Sequence, residues 1–232
     1  RRAEGAAMTG FPFSTIGFDL DGTLVDSALD LGPAINHALA LAGRPGVPLS
    51  ETRNLIGGGS RMMLNRALDL TGGPLPQARY DEIFAALLDF YGANIAANTR
   101  PFPGCVEALD TLAGDHGCAL AVVTNKPERL AVKLLNELGL SKKFACVIGG
   151  DTLGPGRAKP APDMIHEAIA RSGHDGAFAM IGDSSFDVRA AKAASVPSVV
   201  LSFGYNDLPA DQLGADAVID HFDELVPTLA RL

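Results

Sequence analysis

The sequence is poor in cysteine and in positive charge. Cys105, Cys118 and Cys146 are the only cysteines among 232 residues, and their spacing fits neither a metal site nor a redox pair. We therefore expect each to be a small, buried apolar residue in a reducing compartment. The 19 lysines and arginines are outnumbered by 27 acidic residues, which gives a net charge of −8. This balance argues against a nucleic-acid partner, which usually needs a basic surface.

Long apolar runs are also lacking. None approaches the ~18 residues that a membrane-spanning helix requires, and the first ten residues lack the apolar core of a secretory signal. One interpretation takes Met8 as the natural start and residues 1–7 as foreign to the protein. The length and an apolar content of 47% fit one large domain, with or without an insertion. We predict a cytoplasmic protein with no membrane partner, either a monomer or a homodimer.

Six short apolar runs each end at a polar or glycine-rich break. Runs this short and this apolar are typical of buried strands, and amphipathic helical stretches alternate with them. The predicted strands are 15–18, 119–123, 145–148, 178–181, 197–201 and 217–219, and the helical stretches include 106–113, 128–137, 162–171 and 186–194. This alternation predicts an α/β fold, a Rossmann-like parallel sheet with helices on both faces.

One segment breaks the alternation. Residues 27–100 contain helical patterns, at 29–42, 60–70 and 77–95, and no convincing strand. The segment is long for a crossover in a small α/β unit. We predict that residues 27–100 form an inserted helical cap domain, and that residues 1–26 and 101–232 form the core domain.

Polar side chains follow three of the predicted strands. Asp19 and Asp21 come after the first, Thr124 and Asn125 after the second, and Asp183 and Asp187 after the fourth. A lone lysine, Lys159, lies in a loop between the last two of these positions. In an open parallel sheet, ligands bind outside the carboxyl ends of the strands, so we expect these side chains to converge.

The residue types in this set point to phosphoryl transfer. Clustered carboxylates without histidine or cysteine favour Mg²⁺, which would also relieve the repulsion between Asp19 and Asp21. A carboxylate can act as a covalent nucleophile. A lysine and a threonine hydroxyl can neutralise and orient phosphate oxygens. The second carboxylate, Asp21, is placed to act as a general acid toward the leaving alcohol.

Four motifs together resemble the haloacid dehalogenase superfamily, in its phosphatase branch. The first, DxDGT, stands at residues 19–23. The second is Thr124 in VVTNK, the third is Lys159 in AKPAPD, and the fourth, GDxxxD, stands at 182–187. The resemblance spans nearly the whole chain and implies a core fold with a C1-type helical cap. The dehalogenase branch lacks the second aspartate, so Asp21 favours phosphoryl transfer.

Finer features resemble the phosphoglycolate phosphatases of that superfamily. They are FPGCVEAL at 102–109, GGDTL at 149–153, FGYN at 203–206 and IGGGS at 56–60. The loop GPGRA at 154–158 is richer in glycine than the family pattern. The resemblance implies hydrolysis of a small phosphorylated metabolite, 2-phosphoglycolate above others, through an aspartyl-phosphate. A sugar-phosphate mutase like β-phosphoglucomutase, or a phosphatase with another substrate, remains an alternative.

The resemblance also implies roles for the catalytic residues. Asp19 is the nucleophile, and Asp21 first protonates the leaving oxygen and then activates water. Mg²⁺ is held by the Asp19 carboxylate, the Asp21 backbone carbonyl and the Asp183 carboxylate. In this interpretation the Asp21 carboxylate stays free to carry a proton.

The remaining implied roles concern the phosphate and its counter-charge. Thr124 and the backbone N–H groups of Gly22 and Asn125 hold the phosphate. Lys159 balances charge on the nucleophile and the phosphate, and Asp187 orients Lys159 or a metal-bound water.

The predicted cap offers weaker candidates. In the loop IGGGS, Gly58 is a candidate for substrate contact, and the following Arg61 is a candidate for binding a substrate carboxylate. A plain turn and a solvated helical arginine are the competing interpretations, and Arg53 and Arg66 are weaker rivals for the same role. A different class of function is a phospho-receiver signalling domain, which also places Asp, Thr and Lys at strand ends. Such domains have no inserted cap.

Overall fold

A computed structural model describes residues 10–232 of the chain. The strands are β1 Thr15–Phe18, β2 Val25–Asp26, β3 Arg100–Pro101, β4 Ala119–Val123, β5 Cys146–Ile148, β6 Phe178–Gly182, β7 Ser198–Leu201 and β8 Ala217–Ile219. The α-helices are α1 Ala28–Leu41, α2 Thr52–Leu55, α3 Ser60–Thr71, α4 Gln77–Ala93, α5 Cys105–Gly114, α6 Glu128–Glu137, α7 Asp163–Ser172, α8 Ser185–Ala193 and α9 Leu225–Leu229.

Six of the strands form one parallel sheet in the order β5-β4-β1-β6-β7-β8. Its middle strand, β1, is completely buried, which explains its run of apolar residues. Phe18 at the end of β1 lies opposite Val122 of β4 and Ile181 of β6. The carboxyl ends of these three strands are therefore level with one another, and the residues that follow them meet at one edge. The predicted fold class is confirmed.

Alternate residues of the sheet enter two separate cores. Leu120 and Val122 of β4 belong to the larger core, which also contains apolar residues of α1, α4, α5 and α9. Ala121 and Val123 point the other way, into a core with α7 and α8. This alternation follows from the two-residue period of a strand, and it places helices on both faces of the sheet.

Residues 28–93 are helical and pack mainly through α1 and α4. This helical segment enters and leaves through a short antiparallel ribbon, in which Val25 pairs with Pro101 and Asp26 with Arg100. The sequence did not reveal this ribbon, because two-residue strands are too short to show a hydrophobic period. The ribbon is braced by the buried carboxylate of Asp30, which accepts hydrogen bonds from both Asn98 and Thr99.

The cysteines have the character expected of small core residues. Cys105 and Cys118 are buried and Cys146 is half-buried, and all three are free thiols. Burial raises the pKa of Cys105 to about 12 and that of Cys118 to about 11, so neither is a reactive thiolate near neutral pH.

Two further predictions concern a membrane span and the start of the chain. Within residues 10–232, none of the helices combines the length and the apolar character that a membrane span requires. The interpretation of residues 1–7 and Met8 lies outside the described residues.

Candidate active site

The ends of two neighbouring strands, β1 and β6, bring the predicted carboxylates together. Asp19 follows β1 directly, and its N–H donates to the Ile181 carbonyl oxygen of β6 at 2.9 Å. Carboxylate oxygens of Asp19, Asp183 and Asp187 lie within 4.8 Å of one another. The side chains of Asp183 and Asp187 are buried, and that of Asp19 is only 15% exposed. The expected convergence of these residues is therefore present in the structure.

Lys159 lies between two of these carboxylates. Its Nζ is 2.6 Å from Asp187 Oδ1 and 3.1 Å from Asp19 Oδ1, and its side chain is 1% exposed. Burial alone would lower the pKa of Lys159, but the carboxylates of Asp187 and Asp19 together outweigh it and hold that pKa above its ordinary value. Lys159 is therefore a fixed positive charge beside Asp19.

Asp187 is positioned by the first turn of α8. Its Oδ2 accepts from the N–H and the hydroxyl of Ser184 at 3.0 and 2.7 Å, and the two residues form a capping box. With Oδ1 bonded to Lys159, both oxygens of Asp187 have protein partners. Of the two roles considered for Asp187, this geometry favours orienting Lys159.

Asp183 follows β6 and is held by neutral donors. Thr23 Oγ1 donates to its Oδ1 at 2.9 Å, and the Tyr205 N–H donates to its Oδ2 at 2.6 Å. Gly22 packs directly against this carboxylate: its φ is +84°, and a Cβ there would lie 2.3 Å from Asp183 Oδ2. The glycine of DxDGT is thus required both by its backbone conformation and by this close approach.

The aspartates lie in an environment that disfavours their charge. Burial raises the pKa of Asp19 to about 6, helped by the nearby Asp187 and opposed by Lys159. Burial, and then the carboxylates of Asp187 and Asp19, raise the pKa of Asp183 well above its usual range. These crowded carboxylate oxygens repel one another and have little positive charge nearby. Such a set of oxygen ligands fits a hard divalent cation such as Mg²⁺, which would offset the repulsion between the carboxylates.

Asp21 is not free, contrary to our expectation for its carboxylate. Its two oxygens lie 2.8 and 2.7 Å from Nζ of Lys126, and Ser27 Oγ donates to Oδ1 at 2.6 Å. The Lys126 side chain is 4% exposed, and its Nζ also contacts Tyr91 Oη of α4 at 2.8 Å. Lys126 thus joins the end of β1 to the helical segment.

The three residues expected to hold phosphate differ in whether their polar groups are already hydrogen-bonded within the protein. Thr124 is buried directly after β4, and its Oγ1 accepts a hydrogen bond from the Lys126 N–H at 3.3 Å. The side chain of Asn125 is bonded to the backbone of Lys159, through Oδ1 at 2.9 Å and Nδ2 at 2.8 Å. The Gly22 N–H donates to the Val25 carbonyl oxygen at 2.9 Å. This pairing argues against the predicted phosphate contact of Gly22.

A cavity of about 50 Å³ opens beside Asp19, between the sheet edge and the helical segment. Asp19, Asp21, Thr124 and Lys126 line its sheet side. The helical side is formed by the glycine loop 57–59 and by apolar side chains, among them Leu31, Met63 and Leu87. The cavity is small, and its polar groups lie mainly on one side.

The structure places the substrate-contact candidates from the predicted cap in different positions relative to the cavity. Gly58 lines the cavity, and its loop has positive φ at all three glycines, a conformation that other residues rarely adopt. Arg66 fixes this loop by donating to the carbonyl oxygens of residues 55, 56 and 57, each at 3.1 Å. Arg61 lies outside the cavity, with its side chain 62% exposed and its guanidinium 4.2 Å above the Phe84 ring. The solvated interpretation of Arg61 agrees with this position.

Four residues of the site were not singled out from the sequence. They are Thr23, Tyr91, Lys126 and Tyr205. Thr23 and Lys126 belong to the quoted motifs DxDGT and VVTNK, so their closeness to catalytic candidates was an available signal. Tyr205 lies in the quoted stretch FGYN, whereas Tyr91 gave no such signal, because it reaches the site from a helix distant in the chain.

The sequence is similar to a known family and to known proteins. Residues 13–195 match the family model described as haloacid dehalogenase-like hydrolase. The chain is 43% identical over 224 residues to a phosphoglycolate phosphatase of Agrobacterium fabrum, covering 96% of this chain and 95% of the relative. It is also 43% identical over 210 residues to a phosphoglycolate phosphatase of Caulobacter vibrioides, covering 90% and 87% of the two chains.

A solved structure has the same overall fold. The crystal structure of a predicted phosphoglycolate phosphatase from Haemophilus somnus superposes with a TM-score of 0.85. The two chains are 31% identical, and the superposition covers 94% of this chain and 98% of the other. The similarity therefore includes the helical segment as well as the parallel sheet.

Proposed function

Since this chain belongs to the haloacid dehalogenase-like hydrolase family, we propose that it hydrolyses 2-phosphoglycolate to glycolate and inorganic phosphate. The observation that carries the proposal is that Asp19 and Thr124 line one small cavity while the Lys159 ammonium lies 3.1 Å from Asp19 Oδ1. Relatives named phosphoglycolate phosphatase at 43% identity over most of the chain support the choice of substrate.

In the first step, a carboxylate oxygen of Asp19 attacks phosphorus, and the bond from phosphorus to the glycolate oxygen breaks. The leaving oxygen takes a proton from the Asp21 carboxyl, so glycolate departs and an aspartyl-phosphate remains. In the second step, Asp21 accepts a proton from water, whose oxygen attacks phosphorus and releases Asp19 and inorganic phosphate. This sequence returns both aspartates to their starting states.

Other residues hold the phosphate in place. The Thr124 hydroxyl bonds a phosphate oxygen, together with the N–H of Asn125. Lys159 neutralises charge on Asp19 and the transferring group, and Asp187 keeps the Lys159 ammonium aimed at Asp19.

The residues present fit Mg²⁺, and the Asp19 and Asp183 carboxylates with the Asp21 backbone carbonyl would hold it. When bound, Mg²⁺ would neutralise the carboxylates and withdraw charge from the phosphate oxygens. The hydrogen bonds from Thr23 and Tyr205 keep Asp183 oriented toward that position.

The helical segment would act as a cap domain, with residues 27–100 closing over a core of residues 1–26 and 101–232. The ribbon of β2 and β3 is the natural hinge, because both connections of the segment run through it. Closure would exclude water from the aspartyl-phosphate and complete the walls around a small substrate.

The walls of the cavity disfavour a sugar-phosphate substrate. Leu31, Met63 and Leu87 cannot bond to sugar hydroxyls, and the Tyr91 hydroxyl is already bonded to Lys126. Donors and acceptors for several hydroxyl groups are therefore scarce on the helical side of the cavity. This supports a short, two-carbon ester over the substrate of a mutase.

A phosphate-release assay across a panel of esters tests the proposal. With Mg²⁺ present, 2-phosphoglycolate should give repeated turnover and the highest kcat/KM, and chelation of the metal should abolish turnover. Glucose 1-phosphate serves as the mutase substrate in the panel. Far faster hydrolysis of another ester would remove the phosphoglycolate assignment, and a single phosphorylation without turnover would favour a receiver domain.

A further inference from the structure

We propose that Lys126 binds the carboxylate of the substrate and thereby selects acidic phosphate esters. This inference rests on the proposed function, because it assigns the non-phosphate end of the same substrate. The candidates suggested by the sequence for this role were arginines of the helical segment, Arg61 first and Arg53 and Arg66 after it. The structure instead places Lys126, from the loop that follows β4, in the cavity wall.

Lys126 is the only lysine or arginine among the described residues that line the cavity of Asp19. Arg61 is exposed beside Phe84, and Arg66 is used on the carbonyl groups of the glycine loop. Arg53 forms an exposed ion pair with Asp26. Among the described residues, Lys126 is therefore the only basic side chain that lines the cavity and could bind a carboxylate inside it.

The position of Lys126 matches the shape of a two-carbon acid ester. Its ammonium lies 2.7 and 2.8 Å from the oxygens of Asp21, the group assigned to the leaving oxygen. In 2-phosphoglycolate a single methylene group separates the leaving oxygen from the carboxylate carbon. An ester whose leaving oxygen touches Asp21 thus presents its carboxylate beside Lys126.

The charges around Lys126 supply the physical reason for selection. The ammonium is buried, and Asp21 is the only carboxylate bonded to it in the described structure. In the proposed mechanism Asp21 faces the leaving oxygen as a neutral carboxyl, so Lys126 has no anion beside it unless the substrate provides one. A neutral ester leaves a buried ammonium unpaired, which is unfavourable, whereas an acidic ester restores the pair.

Tyr91 holds Lys126 in place during this exchange. Its hydroxyl is bonded to Nζ at 2.8 Å, and the ammonium lies 4.5 Å from the centre of its ring. Both contacts are independent of Asp21, so the cation stays oriented when Asp21 moves. Because Tyr91 belongs to α4, binding of the acid would also draw the helical segment toward the sheet.

The test compares two esters that differ only in the distal group: 2-phosphoglycolate and 2-hydroxyethyl phosphate. For the unchanged chain, we expect kcat/KM to favour the acid by about 10²-fold or more. In Lys126→Met this preference should collapse to within about tenfold, because the acid loses far more than the neutral ester. The matched control, Arg61→Met, should keep the preference.

Lys126→Gln provides a second variant, which keeps hydrogen-bonding capacity toward Asp21 and Tyr91 without the charge. It should lose the preference as Lys126→Met does, and circular dichroism checks that both variants are folded. If both esters lose the same factor in these variants, Lys126 only positions Asp21 and the inference is overturned. An unchanged chain that does not hydrolyse 2-phosphoglycolate would instead overturn the proposed function and this inference together.

Discussion

Two buried lysines lie at the same edge of the sheet, and they differ in the elements that they connect. The core cluster of Lys159, Asp19 and Asp187 comes from two loops and the first turn of α8 at the sheet edge. The Lys159 and Asp187 side chains are each 1% exposed. The bridging cluster of Lys126, Asp21 and Tyr91 connects that edge to helix α4. The core cluster can stay fixed throughout the reaction, whereas the bridging cluster must change whenever the helical segment or Asp21 moves.

The largest effect should come from the nucleophile in the core cluster. Asp19→Asn removes the attacking carboxylate and leaves the surrounding hydrogen bonds nearly intact. We expect phosphate release to fall by about 10⁴-fold or more, the scale of losing a catalytic nucleophile. Turnover is measured with 2-phosphoglycolate and Mg²⁺. Activity within tenfold of the unchanged chain would contradict the assignment of Asp19.

Lys159→Met should break the core cluster as a structural unit. The variant leaves the buried carboxylates of Asp19 and Asp187 without their cation, and the loss of one partner from such a pair costs about 3–5 kcal/mol of unfolding free energy. Urea denaturation of metal-free protein measures the change. The double variant Lys159→Met/Asp187→Asn should recover part of it, and a strictly additive result would argue against the pairing.

Asp21→Asn should slow catalysis in a protein that still folds, and it should also lower stability, because the buried Lys126 ammonium loses its carboxylate partner. We expect turnover to fall by about 10²-fold or more, the usual scale of acid–base catalysis. The urea midpoint provides the control for folding. Near-normal turnover in a folded variant would show that Asp21 does not carry the proton.

The pH dependence of stability sharpens the comparison further. Burial raises the pKa of Asp19 from 3.8 to about 6, so between these values the folded protein holds this proton more tightly than the unfolded chain. The free energy of unfolding of metal-free protein should therefore fall as pH rises through that window. Urea midpoints measured across it should fall less in Asp19→Asn. Equal slopes in the two proteins would refute the raised pKa.

Much of the sheet could be predicted because its signals are local. Helix α6 was predicted with its observed bounds, Glu128–Glu137, since its apolar positions recur with a helical period. The strand at 15–18 was equally clear, because every residue in it is buried. The ribbon of β2 and β3 was missed, as two residues carry no period and their pairing joins positions about 75 residues apart.

The site was predicted unevenly for a similar reason. Asp19, Thr124 and Asp183 each follow a predicted strand, so the rule for parallel sheets was enough to bring them together. Lys159 lies in a loop and was assigned from the order of the motifs. Arg61 was chosen by its charge and its place after the glycine loop. The exposure of Arg61 depends on how α3 packs against Phe84 of α4, and this packing cannot be predicted from a local sequence pattern.

The sequence alone determined the alternation of strands and helices, the four motifs and the family to which the chain belongs. It also determined which side chains meet at the sheet edge, because parallel strands in register present their ends together. Only the tertiary structure decided that Lys126 lies between Asp21 and Tyr91, and that the Gly22 N–H is already paired. Those contacts depend on how a distant helix packs against a loop, and packing is set by the whole chain rather than by any short stretch of it.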